Sequence, residues 1–367
     1  MTEVRLMKGN EALAEAAIRA GCRGYFGYPI TPQSEILEYL SEHATTRGMT
    51  VMQVESELAA INMVYGAAGT GARVMTTSSS PGISLMQEGL SYIASAELPC
   101  MVVNVNRGGP GLGTIQPSQG DYFQATKGGG HGDYHLIVLA PATVQEMADL
   151  VFDAFDLADH YRNPVMILAD GALGQMMEKV SFPEYDIEAH RIPKDWATTG
   201  KPANRERNII TSLFIQPEKM EGINQRLQQK YRQIREREPR FQHTGPQDAE
   251  VLLVAYGLAS RICDRTAQLA RKRGLPVGLF RPITLFPYPS QSLREAASHT
   301  QRGVLVVEMN SGQMLEDVRL ALGDSIPIEF YGRMGGMIPT PEEILERITQ
   351  MTLLDKRETP MEVAHGA

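Results

Sequence analysis

The feature that most constrains this chain is a regular alternation of strand-like and helix-like segments running from its start to about Asp170. GNEALAEAAIRAGC places apolar residues at helical spacing with Gly21 near its end, and YFGYP is a short apolar run stopped at Pro29. PQSEILEYLSEH resumes a helix with Pro32 in its first turn, where proline is best tolerated. TVMQVES, RVMTTSS, CMVVNVN, HLIVLA and PVMILAD read as further strands, and ELAAINMVYGAAGTG, ISLMQEGLSYIASAE and TVQEMADLVFDAFDLADHY as helices among them. Strands joined by helices of this length need right-handed crossovers. The expected fold class is therefore α/β, with a mostly parallel sheet covered on both faces.

The pattern fails from about residue 181. SFPEYDIEAHRIPKDWATTGKPANRERN is polar and dotted with proline, and EKMEGINQRLQQKYRQIRERE carries charges at helical spacing, as an exposed helix does. A second α/β pattern begins near Glu250 with VLLVAYG, then ASRICDRTAQLARKRG, VGLFRP, GVLVVEM and IPIEFYG, and ends on PTPEEILERITQ, a capped helix. The expected organisation is a first α/β unit over 1–185, a linker with an exposed helix over 186–245, a second unit over 246–352 and a tail over 353–367. The second unit, at about 100 residues, has the size of a domain able to fold by itself.

Composition removes several classes of function. The 367 residues exceed one ordinary core, and 43% hydrophobic with 21% charged residues is the balance of a globular protein. A formal charge of −8 offers no basic footprint for nucleic acid. No apolar run is long enough to span a bilayer, and MTEVRLMKGNEA lacks the apolar core of a signal peptide, so a cytoplasmic location is expected. Cys22, Cys100 and Cys263 stand far apart, whereas an iron–sulfur cluster needs about four thiolates.

In an open parallel sheet ligands bind at the carboxyl ends of the strands. Four loops leave such ends here. In Gly27-Tyr28-Pro29-Ile30-Thr31-Pro32, two prolines restrict the backbone around Thr31, which either presents its hydroxyl to a ligand or caps the next helix. In Gln53-Val54-Glu55-Ser56-Glu57, a carboxylate at a helix start satisfies the dipole; that role suits Glu57 better than Glu55, which ends the strand. Ser78-Ser79-Ser80-Pro81-Gly82 offers hydroxyls at a helix N-terminus, fit for an anion or for plain capping, without P-loop or dinucleotide spacing. The stretch from Asn106 to Asp121 is long and glycine-rich, as functional loops are; its Arg107 pairs either with a substrate carboxylate or with Asp121. The loop from Lys127 to Asp133 adds His131, an acid–base candidate or a plain surface histidine.

YPITP, QVESELAAINMVYGAA, SSSPGISLMQEG and NRGGPG…PSQGDY, in this order, resemble the alpha subunits of 2-oxoacid:ferredoxin oxidoreductases over nearly the whole chain. GPGLGTIQPSQGDYFQATKGGGHGDY is similar to the members that oxidise 2-oxoisovalerate; 2-oxoglutarate members tend to carry Ser-Thr-Gly-Leu-Pro where this chain has Gly111-Leu112-Gly113. The resemblance implies a pyrimidine-binding thiamine diphosphate domain followed by a transketolase C-terminal-like domain. It further implies that Glu55 bonds N1′ of the cofactor's aminopyrimidine, its pKa raised by partial burial, and that Thr31 and Arg107 contact the 2-oxoacid. Tyr28, Pro29, Ser79 and Ser80 would line the cofactor site. A beta subunit would hold the diphosphate and Mg²⁺, with 4Fe–4S clusters on it and on a ferredoxin-like delta subunit, and a gamma subunit would complete the complex. Coenzyme A would accept the acyl group and ferredoxin the electrons. Alternatives are the same chemistry on 2-oxoglutarate or pyruvate, and a non-catalytic assembly subunit.

Overall fold

The computed structural model describes residues 4–201, 203–246 and 248–354, so the tail expected over 353–367 lies almost wholly outside the described residues. The first half runs β1 (Val4–Lys8), α1 (Gly9–Arg19), β2 (Gly24–Gly27), α2 (Ser34–His43), β3 (Thr50–Gln53), α3 (Glu57–Ala68), β4 (Val74–Ser78), α4 (Ser80–Ser95), β5 (Cys100–Asn106), α5 (Tyr122–Thr126), β6 (Ile137–Leu139), α6 (Val144–Tyr161), β7 (Pro164–Asp170), α7 (Gly171–Gln175) and β8 (Met177–Ser181). The second runs α8 (Pro217–Arg237), β9 (Phe241–Thr244), β10 (Val251–Val254), α9 (Gly257–Lys272), β11 (Val277–Pro282), β12 (Thr284–Phe286), α10 (Ser290–Ala297), β13 (Gly303–Glu308), α11 (Gln313–Leu322), β14 (Ile328–Gly332) and α12 (Pro341–Leu354).

Among the described residues the first sheet has seven strands in the order β12-β6-β7-β5-β4-β2-β3. All its pairings are parallel except that of β12 with β6. Every residue of β5 and β7 is buried, which is why CMVVNVN and PVMILAD read as nearly continuous apolar runs. β1 and β8 form a separate antiparallel ribbon.

The second sheet has the order β14-β13-β10-β11-β9, parallel except for β9 at its edge. Its side chains alternate between two cores. Val251, Leu253, Leu305 and Val307 pack with residues of α9 and α12, such as Cys263 and Ile344. Leu252, Val254, Val304 and Val306 belong to a core continuous with that of the first unit through Tyr122, Tyr256 and Phe286.

Three details differ from the sequence reading. The helix expected to be exposed, α8, buries Ile223, Leu227, Tyr231 and Ile234, a single stripe at helical spacing. Tyr231 meets His135 edge-on, with ring centroids 5.3 Å apart, and Lys230 and Arg226 both pair with Glu97. The helix is thus a half-buried strut along the first unit. Residues 241–244, placed in the linker, are β9 of the second sheet, and β12, from within the second unit's sequence, extends the first sheet. Through β12 and one continuous core the second unit packs directly against the first.

Glu308, at the end of β13, is fully buried and accepts from Met314 N and Leu315 N at 2.9 and 3.0 Å, capping α11. Burial pushes its pKa up to about 7 despite these bonds. A carboxyl whose folded pKa lies above its unfolded value adds stability that is complete below about pH 4.5 and lost as pH rises through about 7. Glu308→Gln is therefore expected to destabilise the chain more at pH 5 than at pH 8, measured by denaturant unfolding at both. A penalty that grows with pH would contradict this account of Glu308.

Candidate active site

The order of the first sheet sets adjacent β2 and β4 apart in their connections. β2 leads through α2 to β3 on one side, whereas β4 leads through α4 to β5 on the other. Diverging connections open a crevice at the carboxyl ends, the usual ligand position in such sheets. Its walls are the loop Gly27–Pro32 after β2 and Ser79–Ser80 after β4; Glu55 follows β3 on one flank and Arg107 follows β5 on the other. All four loops are joined by hydrogen bonds. Arg107 reaches back across β4, its Nη1 donating to Thr31 O at 2.9 Å and its Nη2 to Leu112 O at 3.1 Å. Ser80 Oγ accepts from Arg107 N at 3.0 Å, and Val54 N donates to Gly27 O at 3.0 Å.

The plain capping readings fare poorly. Thr31 is exposed and does not cap α2, whose N-cap is Gln33. Ser79 occupies the N-cap position of α4, yet its hydroxyl makes no cap bond; it is buried without a partner among the described residues. Arg107 does not pair with Asp121, which instead accepts from Asn104 Nδ2 at 2.8 Å. Burial raises the pKa of Asp121 against the bonds from Ser80 and Asn104. Ser56 caps α3, accepting from Ala59 N at 3.3 Å, while Glu57 is 5% exposed and lies 3.4 Å from Ser78 Oγ. That packing requires Gly82, since a Cβ there would sit 2.0 Å from Ser78 Oγ and 2.4 Å from Glu57 Oε1. Capping and burial thus fall to Ser56 and Glu57, and the Glu55 carboxylate takes neither role.

Glu55 is not partly buried as expected. It is exposed, and among the described residues it accepts one bond, from Ser56 Oγ at 2.8 Å. The cause is its place beside the edge strand β3, with Tyr28, Met52 and Leu58 exposed nearby. Pro29 is half-buried. His131 is exposed, and its loop bonds Gln87 through Gly129 N, about 10 Å along α4 from Ser80. Lys127 is spent on Asp317 at 2.5 Å.

Sequence reasoning missed Asn106. It is 1% exposed; its Oδ1 accepts from Ser80 Oγ at 3.3 Å, and its Nδ2 has no partner among the described residues. Arg107 Nε is likewise buried and unpaired. Buried polar atoms without partners are costly, and here they gather at one crevice beside Ser79 Oγ, which fits a polar ligand completing them. The signal in the sequence was an asparagine ending an apolar strand immediately before the arginine.

These contacts separate two neighbouring serines. Ser79→Ala removes a hydroxyl that bonds nothing among the described residues and is expected to leave the unfolding free energy unchanged within about 0.5 kcal/mol. Ser80→Ala removes an acceptor for Arg107 N and a donor to Asn106, and is expected to cost about 1–2 kcal/mol. Denaturant titration of the two variants checks the order; an equal cost for both would refute the bonding pattern.

Comparison with known proteins gives the chain's family. Residues 15–242 match the family described as pyruvate flavodoxin/ferredoxin oxidoreductase, thiamine diphosphate-binding, and residues 249–344 match pyruvate:ferredoxin oxidoreductase core domain II. The ketoisovalerate oxidoreductase subunit VorB of Methanothermobacter thermautotrophicus is 52% identical over 95% of this chain and 97% of its own length. The 2-oxoglutarate synthase subunit KorA of the same organism is 37% identical over 96% of this chain and all of its own. A solved structure, the 2-oxoglutarate:ferredoxin oxidoreductase from Magnetococcus marinus with 2-oxoglutarate, coenzyme A and succinyl-CoA bound, superposes with a TM-score of 0.85 at 28% identity, over 95% of this chain and 65% of that longer one. A split-gene transketolase shares the fold, with a TM-score of 0.60 at 14% identity. A switch-point crevice lined by Thr31, Arg107 and unpaired buried polar atoms, on a chain matched along most of its length, thus places this protein in the pyruvate flavodoxin/ferredoxin oxidoreductase family, as a thiamine-diphosphate-binding subunit of a 2-oxoacid:ferredoxin oxidoreductase.

Proposed function

We propose that this chain supplies the pyrimidine side of a shared active site that converts a branched-chain 2-oxoacid to acyl-CoA and CO₂, with ferredoxin as electron acceptor. The observation that carries the reading is the Arg107 guanidinium, held across the crevice by the carbonyls of Thr31 and Leu112 with further N–H groups to spare. Its remaining donors suit the substrate carboxylate, and the Thr31 hydroxyl lies on the same loop as the carbonyl that anchors it. Glu55, just before the start of α3, holds or releases a proton at N1′ of the aminopyrimidine. Tyr28, Pro29, Ser79 and Ser80 line the cofactor's path, and the unpaired Ser79 Oγ and Asn106 Nδ2 are open to polar contacts with it. Thiamine diphosphate, when bound, supplies the electron sink that the loss of CO₂ requires.

Glu55 is exposed in the isolated chain, so the low-dielectric surroundings needed for proton sharing must come from a partner. We assign that role to a beta subunit, which also holds the diphosphate and Mg²⁺, and we assign the 4Fe–4S clusters to the beta and ferredoxin-like delta subunits, beside a gamma subunit. The cysteines support this division: burial pushes the Cys22 and Cys100 thiols up to about 12 and raises that of Cys263, so none offers a ready thiolate. Among the described residues no helix is long and apolar enough to cross a membrane, and a cytoplasmic complex fits this reading. Substrate choice rests on the 84%-exposed Leu112 at the tip of the arginine loop and Ile115 beside it, apolar groups suited to an aliphatic substrate rather than a second carboxylate.

The test is CoA-dependent reduction of a one-electron acceptor by the complex assembled with its partner subunits, across 2-oxoisovalerate, 2-oxoglutarate and pyruvate. Glu55→Gln is expected to lower kcat by about 10²-fold or more. Arg107→Lys is expected to raise KM for the 2-oxoacid about tenfold or more, through loss of the bidentate fork. Near wild-type turnover in Glu55→Gln would remove its assigned role, and equal efficiency with 2-oxoglutarate and 2-oxoisovalerate would remove the substrate assignment.

A further inference from the structure

We infer that Gln119 is a positioning residue for the substrate-binding arginine: it fills the ligand crevice of the second sheet, and through the second unit it fixes the loop on which Arg107 depends. The inference rests on the reading of Arg107 given above.

The second sheet has its own switch point. β10 and β13 are neighbours, but α9 carries the chain from β10 to β11 on one side and α11 carries it from β13 to β14 on the other. The crevice between their carboxyl ends is where such a sheet would receive a ligand. Gln119, from the first unit, occupies it and is 3% exposed. Its Oε1 accepts from Met309 N at 2.9 Å, just past β13, and its Nε2 donates to Tyr256 O at 2.8 Å, just past β10. The backbone of Gln119 is bound as well: its N donates to Met309 O at 3.1 Å, and its carbonyl accepts from Asn310 Nδ2 at 2.7 Å and Tyr256 Oη at 3.3 Å. Gln313 extends the clasp, donating to Gly120 O and accepting from Phe123 N.

This clasp sits at the foot of the arginine loop. Arg107 and Pro117 form an antiparallel bridge, and Gly108 N donates to Gln116 O at 2.9 Å, so the two legs of the loop are tied within a few residues of Gln119. The second unit also braces the loop from the side. Gly336 has φ +92°, and a Cβ there would lie 2.5 Å from Gln116 Cβ and 2.9 Å from Thr114 Cγ2. A Cβ on Gly108 would lie 2.9 Å from Gly336 N. One of the two carbonyls that anchor the guanidinium, Leu112 O, belongs to this loop. A shift of the loop therefore loosens Arg107 without touching Glu55, which lies on the far side of the crevice.

The test uses the assembled complex and three variants. Gln119→Met keeps the volume but loses both side-chain bonds, Gly336→Ala presses on the loop while leaving the clasp intact, and Arg107→Lys reports on the arginine itself. Gln119→Met and Gly336→Ala are each expected to raise KM for the 2-oxoacid about tenfold while kcat at saturation stays within about twofold. Amide hydrogen exchange across residues 108–116 is expected to speed up in both. A residue that served stability alone would lower the melting temperature and leave both KM and the loop's exchange unchanged, and that result would overturn the inference. If Gln119→Met does not assemble, Gln119→Asn, whose amide is one methylene too short to bridge both strand ends, decides by the same two readouts. If Arg107→Lys leaves KM unchanged, the reading of the arginine is wrong; if it raises KM while the other two variants behave as wild type, the positioning role alone is wrong.

Discussion

The two halves of this molecule meet on one buried amide. Gln119 bridges the ends of β10 and β13, with an acceptor toward one strand end and a donor toward the other. A primary amide is one of few side chains that satisfy both at once, and in a dry seam each unmet partner would cost about 1–3 kcal/mol. Around it, Tyr122 donates to Asp317 at 2.5 Å, Lys127 reaches the same carboxylate, and Asn310 links Gln119 to Glu308. The seam is thus polar and specific where the chain passes from loop to loop, and apolar where the Tyr122 and Tyr256 rings meet at a tilt, with centroids 5.7 Å apart. Both sheets obey the same topological rule, but they use it in opposite ways. The first leaves its switch-point crevice lined with unpaired polar atoms, and the second closes its own with a side chain of the first.

Much of this was legible in the sequence, and what was not follows a physical pattern. β5 and β7 were readable because parallel strands buried on both faces must be nearly all apolar. The strand-end loops were readable because their glycines and prolines have no other use in a packed domain. β9 and β12 were missed: FQHT and TLF are too short for periodicity to register, and their partners lie in segments remote in sequence. The buried stripe of α8 was masked by the charges around it, which pair with Glu97 and leave only four residues to face the core. Gln119 was quoted within a motif but given no task, since a single glutamine in an irregular loop carries no pattern; its meaning lies in two strand ends more than 130 residues away.

The candidate site shows the same division. Thr31 and Arg107 were named from the loops that carry them, and the structure joins those loops by a bond. Asn106 was passed over because it closes a strand that reads as core, and its unpaired amide became visible only with its neighbours in place. The expected burial of Glu55 failed for a reason no single chain could reveal. Burial is a property of the surroundings, and beside edge strand β3 those surroundings are solvent.

On the proposed reading, that edge is where a second surface completes the site. β3 presents Met52 and Gln53 outward, and Leu58 on α3 and Leu85 on α4 are exposed on the neighbouring helices. An open strand edge flanked by apolar side chains, without the lysines or prolines that usually blunt such edges, is a surface that stable proteins cover. A carboxylate placed there stays solvated until a second surface arrives. On the reading proposed above, splitting the site in this way ties the chemistry to the complete complex: this chain holds Arg107 and Thr31 together, and the surroundings of Glu55 are completed by the surface that covers the β3 edge.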